Sequence, residues 1–188
     1  MKNTTPYEDF LKTKMKRIEP VGRSITESEI HPKLFDWQKK IVQWAVLRGR
    51  AAIFADTGLG KTFLQLEWAR LIGENTLIIA PLSVARQTVR ESHKIGQEVK
   101  YVRHQSEVNS QISITNYEMI EHFDASQFNA VILDESSILK NFSGVIRKQL
   151  TDMFAKTSYR LCCTATPAPN DQSEIGNHAE FLAVCTGS

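Results

Sequence analysis

Three observations in this 188-residue sequence predict an α/β fold, with a mostly parallel sheet covered by helices on both faces. From residue 34 onward, short β-rich apolar runs alternate with helical patterns, the signature of repeated βα units. A glycine-rich turn, Ala55-Asp56-Thr57-Gly58-Leu59-Gly60-Lys61-Thr62, joins the first of these apolar runs to a helical one. Further along, Val131-Ile132-Leu133 runs into Asp134-Glu135, and Cys162-Cys163 runs into Thr164-Ala165-Thr166-Pro167. Polar residues therefore recur at strand ends, the edge where open α/β sheets collect ligands.

The elements follow in order. Residues 1–33 are polar and mixed in charge, and read as an extension ahead of a domain over 34–188. Lys12, Lys14, Lys16 and Arg17 cluster there between Pro6 and Pro20, a pattern that fits a solvated helix face or a contact to a phosphate backbone. Strands are expected at 51–55, 76–80, 99–102, 111–115, 130–134 and 159–163. Between the first two, Phe63, Leu64, Trp68, Ala69 and Ile72 fall at helical spacing and stop at Gly73, a helix-ending signal. Ser83 to Ser92 and Gly144 to Phe154 are the next expected helices. No internal repeat or low-complexity segment is visible.

Composition bounds the function classes. With 41% hydrophobic and 23% charged residues the chain reads as a single soluble globular domain with a sizeable core. A net charge of +2 leaves any nucleic-acid contact to local patches. Cys162, Cys163 and Cys185 show neither Cys-x-x-Cys spacing nor a matching histidine cluster, so neither a zinc site nor a disulfide framework is expected, and a reducing cytoplasm is. The start, Met1 to Pro6, lacks the apolar region of a signal peptide, and no apolar run approaches the roughly 18 residues of a membrane span.

The glycine-rich turn points to nucleoside triphosphate binding. Its backbone N–H groups can close around phosphate oxygens, Lys61 can reach the outer phosphates, and the Thr62 hydroxyl can sit on Mg²⁺. The helix that follows adds its positive end to the same site. Where the usual pattern begins with glycine, this chain has Ala55. Asp134 and Glu135 supply two carboxylates at a strand end, one suited to hold the metal and one to orient or deprotonate the attacking water. The Thr164 to Asn170 segment offers hydroxyls that either reach Glu135 or a neighbouring loop, or cap local backbone.

Taken together, these elements resemble the first RecA-like domain of a superfamily-two helicase or translocase, and look closest to the Swi/Snf-like branch, including its compact phage and bacterial forms. Leu34-Phe35-Asp36-Trp37-Gln38 resembles the adenine-reading element, and Ala55 to Thr62 the phosphate loop. Leu77 to Val84 and Ile114 to Glu118 resemble motifs Ia and Ib, Asp134 to Asn141 motif II, and Thr164-Ala165-Thr166-Pro167 with Asn170 motif III. The resemblance implies ATP and Mg²⁺ as cofactors. Gln38 would bond the adenine edge with Phe35 or Trp37 stacking on it, while Trp44 is read as part of a buried helix face. Thr57, Gly58, Leu59, Gly60, Lys61 and Thr62 would hold phosphates, Thr62 and Asp134 the metal, and Glu135 the water. Thr164 and Thr166 would couple hydrolysis to motion.

Nucleic-acid contacts are implied for Pro81, Ser83, Asn116 and Tyr117; Arg86, Arg90, His93 and Lys94 follow at helical spacing, a face that either adds positive charge to the track or is a solvated basic helix face. Such contacts would be sequence-independent and salt-sensitive, with double-stranded DNA the expected partner. Two departures stand out. Ser136-Ser137 replaces the usual Ala-His, removing the histidine link between motifs II and III, and Thr-Ala-Thr-Pro replaces Thr-Gly-Thr-Pro. The second RecA-like domain, which in this family supplies an arginine finger, is not in the sequence, so weak ATP binding and slow or no hydrolysis are expected of this chain alone. A stand-alone nucleotide-gated adaptor and a small P-loop kinase are the competing readings. Intact Lys61, Asp134 and Glu135 argue against the first, and the lack of an arginine-rich lid against the second.

Overall fold

The computed structural model describes residues 18–141, 145–168 and 174–184. The basic cluster Lys12 to Arg17, Pro169, Asn170 and Cys185 lie outside the described residues, as do the side chains of Lys140 and Asn141. Six strands form one sheet, all parallel: β1 (Arg50–Phe54), β2 (Thr76–Ala80), β3 (Val99–Tyr101), β4 (Ile112–Asn116), β5 (Ala130–Asp134) and β6 (Tyr159–Thr164), in the spatial order β1-β6-β5-β2-β4-β3. The expected strands are present, each within a residue or so of its expected bounds.

Parallel strands buried on both faces read as continuous apolar runs, which is why β2 and β5 lack alternation in the sequence. The pleat sorts their side chains: Ile78, Ile114, Ile132, Leu161 and Cys163 face one core, while Leu77, Ile79, Val131, Leu133 and Cys162 face the other. The first core is covered by α1 (Asp36–Arg48), α2 (Lys61–Ile72) and α3 (Leu82–Ser92) through Val42, Ala45, Leu64, Trp68 and Ala85. The buried Trp68 indole donates to Ala45 O at 3.1 Å, so α2 is tied to α1 where an unmet N–H would be costly. Opposite lie α4 (Ile138–Asn141), α5 (Val145–Met153) and α6 (Ile175–Phe181), contributing Leu139, Leu150 and Phe181, with Phe154 directly after α5.

Helix α1 corrects one expectation. Trp44 is 48% exposed, because Val42, Ala45 and Val46 form the buried stripe and Trp44 falls beside it. Residues 18–33 run over the α1 and α2 side: Val21 and Gly22 donate backbone bonds to Arg48 O and Leu47 O, and His31 N donates to the Glu67 carboxylate at 2.7 Å. Glu67 is fully buried and is met also by Arg70, whose guanidinium reaches Glu29 O, so this pair anchors the chain just ahead of Leu34. No helix of the described residues is long and apolar enough to cross a membrane.

Candidate active site

Parallel strands deliver their C-terminal ends to one edge of the sheet, and the order β1-β6-β5 brings three loops together there. The glycine-rich turn leaves β1, the Asp134-Glu135 segment leaves β5, and Thr164 to Thr166 leave β6 between them. Ala55 N donates to Thr164 O at 3.2 Å, and Ser136 N to Cys163 O at 2.9 Å, so both outer loops are hydrogen-bonded to the end of the middle strand.

The turn departs from the usual pattern only where a methyl is harmless. Ala55 is buried and does not take a positive φ, whereas Gly58 (φ +84°) and Gly60 (φ +75°) do. A Cβ on Gly60 would also stand 2.7 Å from Gln38 Nε2. The glycines therefore sit where the backbone demands them, and Ala55 occupies a strand exit that any small residue fits. Lys61 opens α2 and its Nζ donates back to Ala55 O at 3.0 Å, which sets the ammonium over the turn. Thr62, half-buried, follows on the first turn of the helix. Thr57 lies at the exposed bend of the loop, where its N–H donates to Asp56 Oδ1 at 2.6 Å.

Asp134 is 3% exposed. Its Oδ2 accepts a 2.8 Å bond from Gln65 Nε2, one turn along α2 from Lys61, and its Oδ1 accepts from Glu135 N at 3.0 Å. Burial raises its pKa above the ordinary carboxylate range and the Glu135 charge adds to this, while the Gln65 bond and Lys61 pull it back. Glu135 takes φ +53°, a left-handed conformation that is uncommon for a non-glycine residue and turns the chain at the strand end. Both readings of the Thr164 hydroxyl hold: it donates to Glu135 Oε2 at 3.4 Å and accepts from Thr166 N at 3.1 Å.

Beside this polar cluster opens a cavity of about 740 Å³. Phe35, Trp37, Gln38, Leu59, Gly60 and Phe63 are among its walls, with Lys33 and Lys94 at the rim. Gln38 is almost buried, accepting from Phe35 N at 3.0 Å and donating to Leu59 O at 3.1 Å, so one amide ties the start of α1 to the glycine-rich turn. Phe35 is 67% exposed and lines this space.

The residues expected to meet nucleic acid divide. Ser83 and Arg86 are exposed on α3 with Arg90, followed by His93 and Lys94, and Pro81 is half-buried at the mouth of the helix. Asn116 and Tyr117 are not presented to solvent. The Asn116 amide accepts from Tyr101 OH at 2.6 Å and donates to the Glu118 carboxylate, and Tyr117 OH donates to Asp134 O at 2.9 Å, its own pKa pushed well up by burial. Their side chains are hydrogen-bonded within the protein at the sheet edge.

Two residues of this site carry no local signal in the sequence. Gln65, which orients Asp134, is separated from it by 69 positions. His178, on α6, places Nε2 3.1 Å from Ser136 Oγ and packs its ring edge-on against Phe54 at 5.3 Å, supplying a histidine contact to the motif II segment that the Ser136-Ser137 sequence lacks locally.

The residues present fit a Mg²⁺ nucleotide. Positive-φ glycines leave room for phosphate oxygens beside Lys61, and Asp134 and Thr62 are oxygen donors of the kind a hard cation takes.

Comparison with known proteins agrees with this geometry. The structure superposes on the UvsW helicase of bacteriophage T4 with a TM-score of 0.67 at 14% identity, over 96% of this chain and 67% of that one. It superposes on a hypothetical ATP-dependent RNA helicase from Sulfolobus tokodaii with a TM-score of 0.56 at 17% identity, over 94% and 53%. These likenesses define a RecA-like fold. In sequence the chain is 25% identical over 174 residues to the mouse DNA annealing helicase and endonuclease ZRANB3, and 29% identical over 158 residues to the chicken DNA repair and recombination protein RAD54B. Those alignments take in 82% and 70% of this chain but only 16% and 17% of the relatives' lengths. The SNF2-related domain matches residues 37–185, which span the glycine-rich turn, both carboxylates and α6, and the chain belongs to that family.

Proposed function

We propose that this chain is the ATP-binding half of a DNA-dependent ATPase that moves along double-stranded DNA. The observation that carries the reading is the convergence around the end of β6 of Lys61, the Asp134-Glu135 pair and Thr164, with Gln65 fixing the first carboxylate. Lys61 and the N–H groups of Thr57 to Thr62 bind the phosphates, and the cavity beside Gln38 takes the base. Asp134 and Thr62 would hold Mg²⁺, which would neutralise phosphate charge. Glu135 orients a water toward the terminal phosphate and accepts its proton. Thr164, bonded to Glu135, reports the change to the loop ending β6.

DNA is supported as partner by the relatives, one named a DNA annealing helicase and another a DNA repair and recombination protein. A further structural neighbour, the restriction-modification enzyme LlaGI, was determined with a DNA substrate mimic. The exposed face of α3 with Ser83, Arg86 and Arg90, and Pro81 ahead of it, forms the backbone-contacting track. A second RecA-like domain, in the same chain or in trans, closes the cleft and supplies an arginine, a contribution of about 10³-fold or more in rate. A nucleotide-gated adaptor would have no use for a second carboxylate held at the phosphate end.

The test is ATP hydrolysis by this chain alone and joined to a second RecA-like domain, each with and without duplex DNA. The reading predicts negligible turnover alone and DNA-stimulated turnover when joined, lost in Glu135→Gln. Turnover unaffected by that substitution, or by DNA, would contradict it.

A further inference from the structure

We infer that His178 is a positioning residue through which the nucleotide state of the cleft is transmitted to α6. The inference rests on the reading of the cleft as an ATP site and adds a route out of it. His178 is 2% exposed, with one ring nitrogen 3.1 Å from Ser136 Oγ and the ring edge against Phe54. Phe54 is the last residue of β1 before the phosphate loop, and Ser136 directly follows Glu135. One side chain of α6 thus touches the exits of both strands that carry the chemistry.

The surroundings make that contact stiff at both ends. Ser136 is fully buried and its N–H is fixed to Cys163 O, so it cannot drift without disturbing the end of β6. Glu135, in its left-handed conformation, lies between Asp134 and Ser136, and any reorientation of that residue must rotate the peptide leading to Ser136. Helix α6 is held to the rest of its layer by Arg147, which donates to Asn177 Oδ1 at 2.5 Å, and by the buried Arg160, which donates to Phe181 O at 2.6 Å. A short helix held at these points shifts as a unit, and His178 is a direct contact between it and the carboxylate loop. The histidine contact missing from the Asp-Glu-Ser-Ser segment is supplied from a helix 42 positions downstream.

The experiment is backbone amide NMR of the 188-residue chain, saturated in turn with Mg²⁺ and ADP and with Mg²⁺ and adenylyl imidodiphosphate. Resonances of Gly58 and Gly60 report that nucleotide is bound. In the wild type, amides of Ile175 to Phe181 are expected to differ between the two nucleotides although α6 does not line the cavity. Ser136→Ala and His178→Phe, the latter keeping a ring against Phe54, should reduce that difference at least fivefold. His178→Gln, which keeps a hydrogen-bonding group, should retain at least half of it. A merely structural histidine would change stability without changing the nucleotide-dependent difference. Bound nucleotide with an unmoved α6, or Ser136→Ala and His178→Phe behaving as wild type, would overturn the inference alone. Unchanged Gly58 and Gly60 resonances at saturating nucleotide would overturn the reading of the cleft and this inference with it.

Discussion

The phosphate end and the base end of the cleft are built on different principles. The phosphate end is made of strand termini: Asp134, Thr164 and Ser136 are buried, each is held by hydrogen bonds to a neighbouring element, and the sheet positions all of them before any ligand arrives. The base end is a surface construction. Phe35 and Leu59 are exposed, Trp37 is 41% exposed, and the walls come from the segment before α1, the glycine-rich turn and the stretch after α3. The glycine-rich turn belongs to both, and Gln38 ties it to the start of α1 through Phe35 N and Leu59 O. Chemistry is thus placed by the core and base recognition by surface segments, so damage to the first should be severe and to the second graded.

Four substitutions sharpen that contrast. Lys61→Ala removes the ammonium over the turn and should weaken both ATP and inorganic tripolyphosphate by about 100-fold in titration calorimetry, the worth of charged hydrogen bonds of about 2–3 kcal/mol. Gln38→Ala should cost ATP about tenfold, and should also weaken tripolyphosphate several-fold because the Leu59 carbonyl loses its donor.

Asp134→Asn separates stability from function. Because burial raises the Asp134 pKa, the folded state favours its neutral form, so its charge costs stability at pH values above the folded pKa and that cost fades as pH falls through it. The ligand-free Asn variant should therefore be more stable at pH 7, measured by denaturant unfolding, with the gain shrinking on acidification and with Mg²⁺ no longer strengthening nucleotide binding. Phe35→Ala removes an exposed ring and should weaken ATP about threefold while leaving tripolyphosphate unchanged. An equal effect on both ligands would break the distinction between the two ends.

The sequence announces the phosphate end better than the base end, for a physical reason. Strands buried on both faces need continuous apolar runs, and a loop that must adopt positive φ needs glycine, so β5, β6 and the Gly58 to Lys61 turn leave contiguous marks. Gln65 and His178 leave none, since each meets its partner only after the sheet brings distant positions together. Burial is also misjudged locally. Trp44 looks like a core residue and is exposed, while Asn116 and Tyr117 look like surface contacts and are committed inward to Tyr101, Glu118 and Asp134. Ala55 looks like a defect in the motif and proves to be an ordinary strand exit, because the positive-φ positions lie three and five residues further on.

The most direct test of the division is a paired titration of ATP and tripolyphosphate, both with Mg²⁺, into wild type, Lys61→Ala and Phe35→Ala. The account predicts that Lys61→Ala loses both ligands and that Phe35→Ala weakens ATP alone. Binding of ATP that survives Lys61→Ala would contradict it, since the phosphates would then be held somewhere other than the turn between β1 and α2.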